Sequence, residues 1–413
     1  MGNGLDAARR RQYEERLRVV CSEALVGALD EELSASGYRG EADVLKKCAA
    51  SLRPEAERQL LLGGETRAAA EGLWDALMLA QRRRSKTSAG LRESCIILLV
   101  YSALVDMHAN AEDHVFRDLD RAMLLGAPPE LSLDILEHQD AQMHPERLRI
   151  PAFPEAPPQL PAGTDGMVRV FRVRADEPVR RLSEGPFVFE RCSTIQNWEA
   201  TRTWNKLDVF RETHGRRWVP VELGTHGQDD WHESAMPLSE FVDTCLVPSL
   251  IRDTQDTGAL SAHRPKSASD VGYIAQHDLF SQIPALLKDV SPPPPHCGCA
   301  PIQKVNAWLG TSGTVTPCHY DTYENFLVQI AGWKLVYLFP KNQRGMYPRK
   351  AKPNLSRVDV EAPDMVRFPL FGSCASPAAQ LAILGPGEML YIPAGWWHAV
   401  RSLTTSLSCN FWF

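Results

Sequence analysis

The chain has 413 residues, of which 44% are hydrophobic and 23% are charged, close to the average for soluble globular proteins. This composition excludes an intrinsically disordered tail, a collagen-like fibre and a low-complexity scaffold, and the length has room for two domains. The formal net charge of −6 argues against nucleic-acid binding through the overall field of the protein.

The first third of the chain, residues 1–147, predicts a helical domain. Apolar residues recur there at helical spacing, as in Leu73, Leu77 and Ala80, and strand-like alternation is rare. Ile96–Val105 is typical of a buried helix, and this longest apolar stretch has about half the length that a membrane span needs. We therefore expect paired helices in a small bundle, and no membrane partner.

Five prolines in PAFPEAPPQLP, residues 151–161, mark a change in composition. Because proline has no amide hydrogen and a fixed φ, this stretch predicts an extended linker, which we place at residues 148–165. After it, short alternating runs separated by glycine and proline predict the strands of a barrel or jelly roll rather than a parallel sheet. The predicted fold class is α+β, with a helical domain followed by a β-rich domain at residues 166–413.

The strongest chemical signal in the β-rich part is a His-x-Asp motif. Alternate side chains of a strand point to the same face, so His319 and Asp321 present an imidazole nitrogen and a carboxylate oxygen to one ion. The candidate for a third ligand is His398, in a G-x5-P-x-G-x2-H string that begins at Gly387 and matches the second motif of cupin-type barrels. Two histidines and one carboxylate leave three octahedral positions open, as in non-haem Fe(II) oxygenases. A closed structural zinc site would more often contain sulfur.

Several longer strings resemble the jumonji-C family of iron- and 2-oxoglutarate-dependent oxygenases. They span most of residues 166–413 and comprise VPVELG (219–224), DVGYIAQHDLFSQIPAL (270–286), VNAWLG (305–310), GTVTPCHYDTYENFLVQIAGWKLVYLFP (313–340) and LGPGEMLYIPAGWWHAVRSLTTSLSCNFWF (384–413). The resemblance implies a double-stranded β-helix with Fe(II) as cofactor and with 2-oxoglutarate and O2 as co-substrates. It also implies a dioxygenase that releases succinate and CO2 while it hydroxylates an unactivated C–H bond.

An enzyme of this kind has to pair the far carboxylate of 2-oxoglutarate, because an unpaired buried charge is costly. Lys334 stands in an otherwise apolar strand, where a lysine lies either at a strand edge or in a polar pocket. The resemblance favours the pocket, and it assigns Lys334 and Tyr273 to the co-substrate. Thr316 and Asn325 flank the His-x-Asp motif, and we expect both to contribute hydrogen bonds to 2-oxoglutarate.

The resemblance suggests a protein substrate with a basic side chain, either an arginine or a methyl-lysine such as one in a histone. Glu222 matches an acidic pocket residue of the arginine-hydroxylating branch, and a carboxylate pairs with a guanidinium in a two-pronged geometry. Trp308 is either a pocket wall or a core aromatic, and Gln276 and Asn306 are expected to add polar contacts. A methyl-lysine would prefer an aromatic cage, which the sequence does not reveal. Arginine hydroxylation is therefore favoured over histone demethylation.

Two other classes are weighed against an oxygenase. One is a non-catalytic transcriptional co-regulator that kept the barrel, and the other is a metal-only cupin enzyme such as an isomerase. The complete ligand set argues against the first, and Lys334 with Tyr273 argues against the second, because an isomerase needs no anchor for a dicarboxylate.

The remaining signals concern location and assembly. The ten cysteines show no disulfide spacing and the first residues lack the apolar core of a signal peptide, so we expect a nuclear or cytoplasmic protein. The basic run at residues 82–86 fits a nuclear import signal and a solvated turn equally well. His296-Cys297-Gly298-Cys299 is interpreted as a solvated loop rather than a zinc site. The resemblance implies that the C-terminal FWF contributes to assembly into an oligomer.

Overall fold

Two compact units divide the chain, one comprising Met1–Pro145, Thr213–Pro220 and Ala235–Leu238 and the other the remaining residues. The computed structural model describes residues 23–51, 63–82, 89–108, 112–129, 132–140, 150–161, 164, 167–174, 185–190, 192–225, 230–255, 271–295 and 301–413. The predicted loop at 296–299 and residues 83–86 of the basic run lie outside these ranges. None of the helices within them has the length and apolar character to cross a membrane.

The first unit is built from helices. The helix Ala89–His108 is buried at every position from Cys95 to Leu104, because other helices of the unit pack around it. The helices are α1 (Glu23–Ala35), α2 (Arg39–Ser51), α3 (Gly63–Arg82), α4 (Ala89–His108), α5 (Glu112–Leu124) and α6 (Leu133–Asp140).

A buried ion pair ties a later stretch of chain into this helical unit. Arg217 and Asp120 are both fully buried, and the guanidinium donates from Nε and Nη2 to the carboxylate at 2.9 to 3.2 Å. The backbone amide of Trp218 donates to the same carboxylate at 2.8 Å. These contacts explain why residues 213–220 belong to the helical unit, a return that the pattern of residues 1–147 does not predict.

The second unit contains most of a sandwich of two mixed sheets, which confirms the predicted α+β fold with a jelly roll. One sheet has the strand order β1-β11-β10-β13-β8 and the other β2-β3-β12-β9-β14-β7-β6-β4-β5. The strands are β1 (Val168–Arg169), β2 (Phe171–Arg174), β3 (Phe187–Glu190), β4 (Trp218–Leu223), β5 (His232–Pro237), β6 (Gly272–Ile274), β7 (Lys304–Gly310), β8 (Val315–His319), β9 (Asn325–Ala331), β10 (Lys334–Phe339), β11 (Gln380–Leu384), β12 (Met389–Ile392), β13 (Trp397–Ser402) and β14 (Ser406–Trp412).

Short helical segments connect the strands, most of them before β7. The α-helical ones are α7 (Ser193–Gln196), α8 (Glu199–Thr203), α9 (Leu238–Phe241), α10 (Val247–Gln255), α11 (Leu279–Gln282) and α12 (Pro284–Asp289). π-Helical turns occupy Val209–Thr213, Val242–Leu246 and Phe371–Ala375, and tighter 3₁₀ turns occupy Trp204–Lys206 and Ser376–Ala378.

A long insertion separates β10 from β11 and covers the edge of β8. Its residues 354–356 run antiparallel to the end of that strand, with a bridge between His319 and Leu355. The amide of Ser356 donates to the carbonyl of Cys318 at 2.8 Å, and the amide of Tyr320 donates to the carbonyl of Asn354 at 2.9 Å. The insertion therefore supports the strand that carries the His-x-Asp motif.

The proline-rich stretch has no helix or strand between residues 150 and 161, in keeping with its composition. Its backbone is nevertheless attached to the second unit, because the indole Nε1 of Trp333 donates to the carbonyl of Pro154 at 3.0 Å.

Candidate metal centre and co-substrate pocket

Three predicted metal ligands come together at the end of two paired strands. His319 is the last residue of β8 and His398 lies opposite it in β13, in the same register. The Nε2 atom of His319 is 3.8 Å from Oδ1 of Asp321, and Nε2 of His398 is 3.7 Å from Oδ2 of the same carboxylate. All three ligand atoms lie within 4.8 Å of one another, a spacing that suits one ion.

Both histidines are oriented by backbone carbonyls. Nδ1 of His319 is 2.8 Å from the carbonyl of Pro317, and Nδ1 of His398 is 3.0 Å from the carbonyl of Trp396. Because a carbonyl only accepts, each Nδ1 carries the proton, which leaves Nε2 as a lone-pair donor for a metal. Burial, reinforced by the nearby His319, lowers the pKa of His398 to about 4, with Asp321 opposing the shift. The neutral, metal-binding form of His398 thus dominates at physiological pH.

The tight turn before β13 holds the carboxylate ligand in place. The amide of Gly395 donates to the carbonyl of Asp321 at 2.8 Å. Gly395 has a φ of +81°, a conformation that favours glycine, and a Cβ there would lie 2.8 Å from Cε of Lys341. Glu324 fixes the same turn by accepting from the Tyr391 hydroxyl at 2.5 Å and from the Ala394 amide at 3.2 Å.

The chemistry of the donor set fits Fe(II). Two imidazoles and one carboxylate match the ligands of non-haem iron oxygenases. The thiol of Cys318, beside His319, is buried in a hydrophobic cluster, where burial raises its pKa and keeps it protonated. Throughout the ranges that the structure describes, this is the single group of three or more His, Cys, Asp or Glu side chains with metal-binding spacing.

A pocket adjoins the three ligands, which form part of its lining. Most of the residues predicted for the metal, the co-substrate and the substrate share it, whereas Asn306 and Glu222 do not line it. The lining residues are Tyr273, Gln276, Trp308, Thr316, His319, Asp321, Asn325, Leu327, Lys334, Ile392, His398, Val400, Asn410 and Trp412.

Lys334 places a buried cation in this pocket. Its side chain is 1% exposed, and its Nζ donates to Oγ of Ser408 at 2.6 Å. In the described part of the chain no carboxylate pairs with it, and burial lowers the pKa of Lys334 to about 7. A buried ammonium without a counter-charge is costly, so the pocket is suited to an anionic ligand.

Two hydroxyl groups stand near this cation. The Tyr273 hydroxyl is 3.3 Å from Oγ1 of Thr316, and Nζ of Lys334 lies 5.8 Å from the centre of the Tyr273 ring. Burial raises the pKa of Tyr273, so the phenol keeps its proton and remains a hydrogen-bond donor.

Asn410 organises the polar wall of the pocket, a role that the sequence-based predictions missed. Its Oδ1 accepts from Nε1 of Trp308 at 2.8 Å and from Nδ2 of Asn306 at 3.3 Å. Its Nδ2 donates to Oδ1 of Asn325 at 3.1 Å. The predicted Asn306 therefore acts on the pocket through Asn410, and the Trp308 indole is both a pocket wall and a fixed member of the network.

A signal for Asn410 was present in the sequence. Ser406, Ser408 and Asn410 alternate with apolar residues, so these three polar side chains share one face of β14. Trp412 continues that face and lines the pocket, and its buried Nε1 has no hydrogen-bond partner among the described residues.

The remaining substrate residues differ in position. Gln276 lines the pocket in a left-handed backbone conformation, with a φ of +52°. Glu222 is paired across the sheet with Tyr273, and its Oε2 accepts from Nε1 of Trp231 at 3.3 Å. Burial raises the pKa of Glu222, the hydrogen bond from Trp231 opposes this, and nearby Glu233 adds to the rise.

Residues 181–413 match the family described as the cupin-like domain. JmjC domain-containing protein F of Dictyostelium discoideum is 35% identical over 268 residues, which cover 52% of this chain and 55% of the relative. Lysine-specific demethylase 8 of Xenopus tropicalis is 36% identical over 239 residues, 56% of this chain and 48% of the relative. Jumonji C domain-containing protein 5 of Drosophila melanogaster is 33% identical over 230 residues, 54% of this chain and 53% of the relative.

The chain thus spans about half the length of the curated relatives that it matches. The family match covers the strands that carry the three candidate ligands and the buried lysine. The resemblance to jumonji-C proteins that the sequence motifs indicated is confirmed. The chain belongs to the cupin-like domain family and, within it, to the JmjC branch whose members include lysine-specific demethylase 8 and Jumonji C domain-containing protein 5.

Proposed function

We propose that this protein is an Fe(II)- and 2-oxoglutarate-dependent dioxygenase that hydroxylates a basic side chain, with arginine favoured, in a protein substrate. The observation that carries the proposal is the position of the buried Lys334 ammonium in the same pocket as His319, Asp321 and His398. A metal-only cupin enzyme such as an isomerase needs no anchor for a dicarboxylate co-substrate, whereas an enzyme that binds 2-oxoglutarate does.

Different residues of the pocket would bind the metal and the co-substrate. His319, Asp321 and His398 would hold Fe(II), which when bound supplies the oxidation of 2-oxoglutarate by O2 to succinate and CO2, coupled to hydroxylation. Lys334 would neutralise the far carboxylate of the co-substrate, and the Tyr273 hydroxyl would donate to that carboxylate.

The polar wall would set the orientation of both ligands. Thr316 holds the Tyr273 hydroxyl through the bond between their side chains, so the donor is already aimed before 2-oxoglutarate enters. Asn410 fixes the amide of Asn325 and the indole of Trp308 in the same way. The free Nε1 of Trp412 offers a donor to a carbonyl of the co-substrate or substrate.

Glu222 favours arginine as the target. It is a partly buried carboxylate beside Tyr273 with no cation paired to it among the described residues, and a guanidinium would supply a counter-charge. Methyl-lysine demethylation is the second candidate, because several relatives carry the name lysine-specific demethylase and because Tyr273, Trp308 and Trp412 present aromatic rings to the pocket. A nuclear or cytoplasmic location is part of the same proposal.

Mass spectrometry of matched peptides distinguishes the two targets. One peptide contains a central arginine and the other a trimethyl-lysine in the same sequence, each incubated with protein, Fe(II), 2-oxoglutarate and air. We expect the arginine peptide to gain one oxygen, and demethylation would instead remove one CH2 from the lysine peptide. An absence of succinate with every peptide and without peptide would contradict the oxygenase itself.

The variant Glu222→Gln tests the assignment of the target. Because one hydrogen bond to a charged group is lost while the size of the side chain is kept, we expect the KM for the arginine peptide to rise about tenfold. The KM for 2-oxoglutarate and the succinate formed without peptide should stay unchanged. An equal rise in the KM for 2-oxoglutarate would place Glu222 in the co-substrate site instead.

A further inference from the structure

A strongly basic segment begins the insertion between β10 and β11. Residues 341–357, called here the basic insert, contain no Asp or Glu. Their charge is +6, so the rest of the chain carries −6 − 6 = −12. The six basic residues are Lys341, Arg344, Arg349, Lys350, Lys352 and Arg357.

All six of these side chains are exposed to solvent. None of them forms an ion pair with a carboxylate in the ranges that the structure describes. Arg349 donates from Nε to the carbonyl of Ser356 at 3.2 Å, and the Arg357 guanidinium lies over the ring of Phe368. Both contacts leave the positive charge unneutralised.

The carboxylates that follow the basic insert in sequence have other partners. Glu361 binds the guanidinium of Arg401 through both of its oxygens. Asp359 accepts from the backbone amides of Glu361 and Ala362. Asp364 accepts from the backbone amides of Val366 and Arg367. Among the described residues, none of these three carboxylates forms an ion pair with the basic insert.

Both ends of the basic insert reach the metal centre. At one end, residues 354–356 bond to the strand of His319, as described above. At the other end, the aliphatic part of Lys341 lies against Gly395, whose amide holds the carbonyl of Asp321. A positive surface thus flanks the strand and the turn that carry the candidate ligands.

We infer that the basic insert binds an acidic segment of the protein substrate, next to the side chain that enters the pocket. The inference rests on the proposed function and names its substrate class: a basic target residue within a sequence rich in Asp and Glu. Opposite charges at the rim would raise the rate of encounter and would fix the register of the peptide. Glu222 would then bind the target side chain, and the basic insert would bind the acidic residues next to it.

Charge favours a short acidic peptide over a nucleic acid. A duplex has one negative charge per about 1.7 Å of its axis, so it would extend past the six charges of the basic insert, and the rest of the chain has a net charge of −12. A segment with a few Asp or Glu residues meets only the basic insert. By the same reasoning, a tail rich in Lys and Arg, such as that of a histone, would be repelled.

Fluorescence anisotropy with designed peptides tests this inference on the full chain. The probes are one arginine peptide flanked by Asp and Glu and a second in which Ser replaces the acids. The test variant is Arg344→Glu, Lys350→Glu and Lys352→Glu, because these side chains make no hydrogen bond within the described residues. The matched control is Arg169→Glu, Arg174→Glu and Lys288→Glu, which changes the net charge equally at exposed positions outside the basic insert.

We expect the acidic probe to bind about tenfold more weakly to the test variant, and to lose affinity for the unchanged protein as salt is raised. The control variant and the Ser probe should show little change. Equal binding of both probes to the unchanged protein, equal weakening by both variants, or tighter binding of a DNA duplex than of the acidic probe would overturn the inference. Succinate formation without peptide is measured in parallel: its absence contradicts the proposed function alone, and its loss only in the test variant would show a damaged metal centre.

Discussion

The buried ammonium of Lys334 gives the pocket a pH dependence that can be assigned to one residue. Burial lowers its pKa from 10.5 to about 7 in the folded protein, so an unfolded chain holds this proton more tightly. Between pH 7 and 10.5 the unfolded state binds more protons, and the free energy of unfolding therefore rises with pH in this window. Below pH 7 Lys334 is charged in both states, so the buried charge lowers the free energy of unfolding by its full amount.

Replacement of Lys334 by Met should separate stability from ligand binding. We expect the metal-free variant to melt at a higher temperature than the parent protein, with a difference that is largest at or below pH 7 and shrinks toward pH 10. The affinity for 2-oxoglutarate, measured by calorimetry with Mn(II), should fall at least about thirtyfold because a buried charge pair loses one partner. A melting difference that grows with pH, or unchanged affinity, would contradict this role.

At the same scale, motif spacing predicted the residues whose identity is dictated by chemistry. The candidate ligands could be predicted from the sequence because strand alternation and a tight turn bring them to one point. They are His319, Asp321 and His398. Glu324 could not be predicted in this way, because its role is to bind a hydroxyl and an amide from a turn about 70 residues away, as the pairs with Tyr391 and Ala394 show. No local pattern reports such a contact.

At the scale of elements, β14 aligns the polar wall of the pocket between β7 and β9. Asn410 bonds to residues of both neighbours, so it acts as a side-chain bridge across three strands. Its partners are all buried or partly buried, and they would lose hydrogen bonds together if the amide were removed.

Asn410→Leu should therefore lower the free energy of unfolding by about 3 kcal/mol, because several buried polar groups are left unsatisfied. Urea unfolding measures this loss, and Asn342→Leu, at an exposed amide, serves as the control. We also expect the KM for 2-oxoglutarate to increase, since Asn325 loses the partner that orients it. A variant as stable as the parent would show that the bridge contributes no net stability.

The strands were predictable and the insertion between them was not. Short apolar runs with glycine and proline between them mark many of the strands from β7 to β14, and some of these strands, such as β9 and β10, are buried along their whole length. Residues 341–379 have no such period, since isolated bridges, capped turns and short helical turns replace regular strands there. Their pairing with the strand of His319 depends on tertiary structure.

At the scale of the whole molecule, the division into two units does not follow a single cut in the chain. The proline-rich stretch predicts a boundary between residues 147 and 166, and this boundary stays a prediction. The return of residues 213–220 and 235–238 to the helical unit depends on contacts such as that between Arg217 and Asp120, 97 positions apart. Sequence periodicity carries no information at that distance.

Removal of the guanidinium should destabilise the helical unit. Arg217→Met leaves the fully buried Asp120 carboxylate without its bidentate partner, so we expect a loss of about 3 to 5 kcal/mol, read from hydrogen exchange of the α5 amides. The double variant Arg217→Met with Asp120→Leu should recover part of the lost stability, because no unpaired carboxylate stays buried. The control is Arg202→Met, whose exposed pair with Glu199 contributes little. Equal effects of the two single variants would argue against the buried pair.

The central claim is that His319, Asp321 and His398 form an iron centre that oxidises 2-oxoglutarate. The direct test loads the protein with Fe(II) and 2-oxoglutarate without oxygen, then admits air and measures succinate. We predict stoichiometric iron and succinate formation in the parent protein and in His232→Ala, a histidine outside the cluster, and neither in His319→Ala. Iron binding and succinate formation that survive His319→Ala would contradict the account.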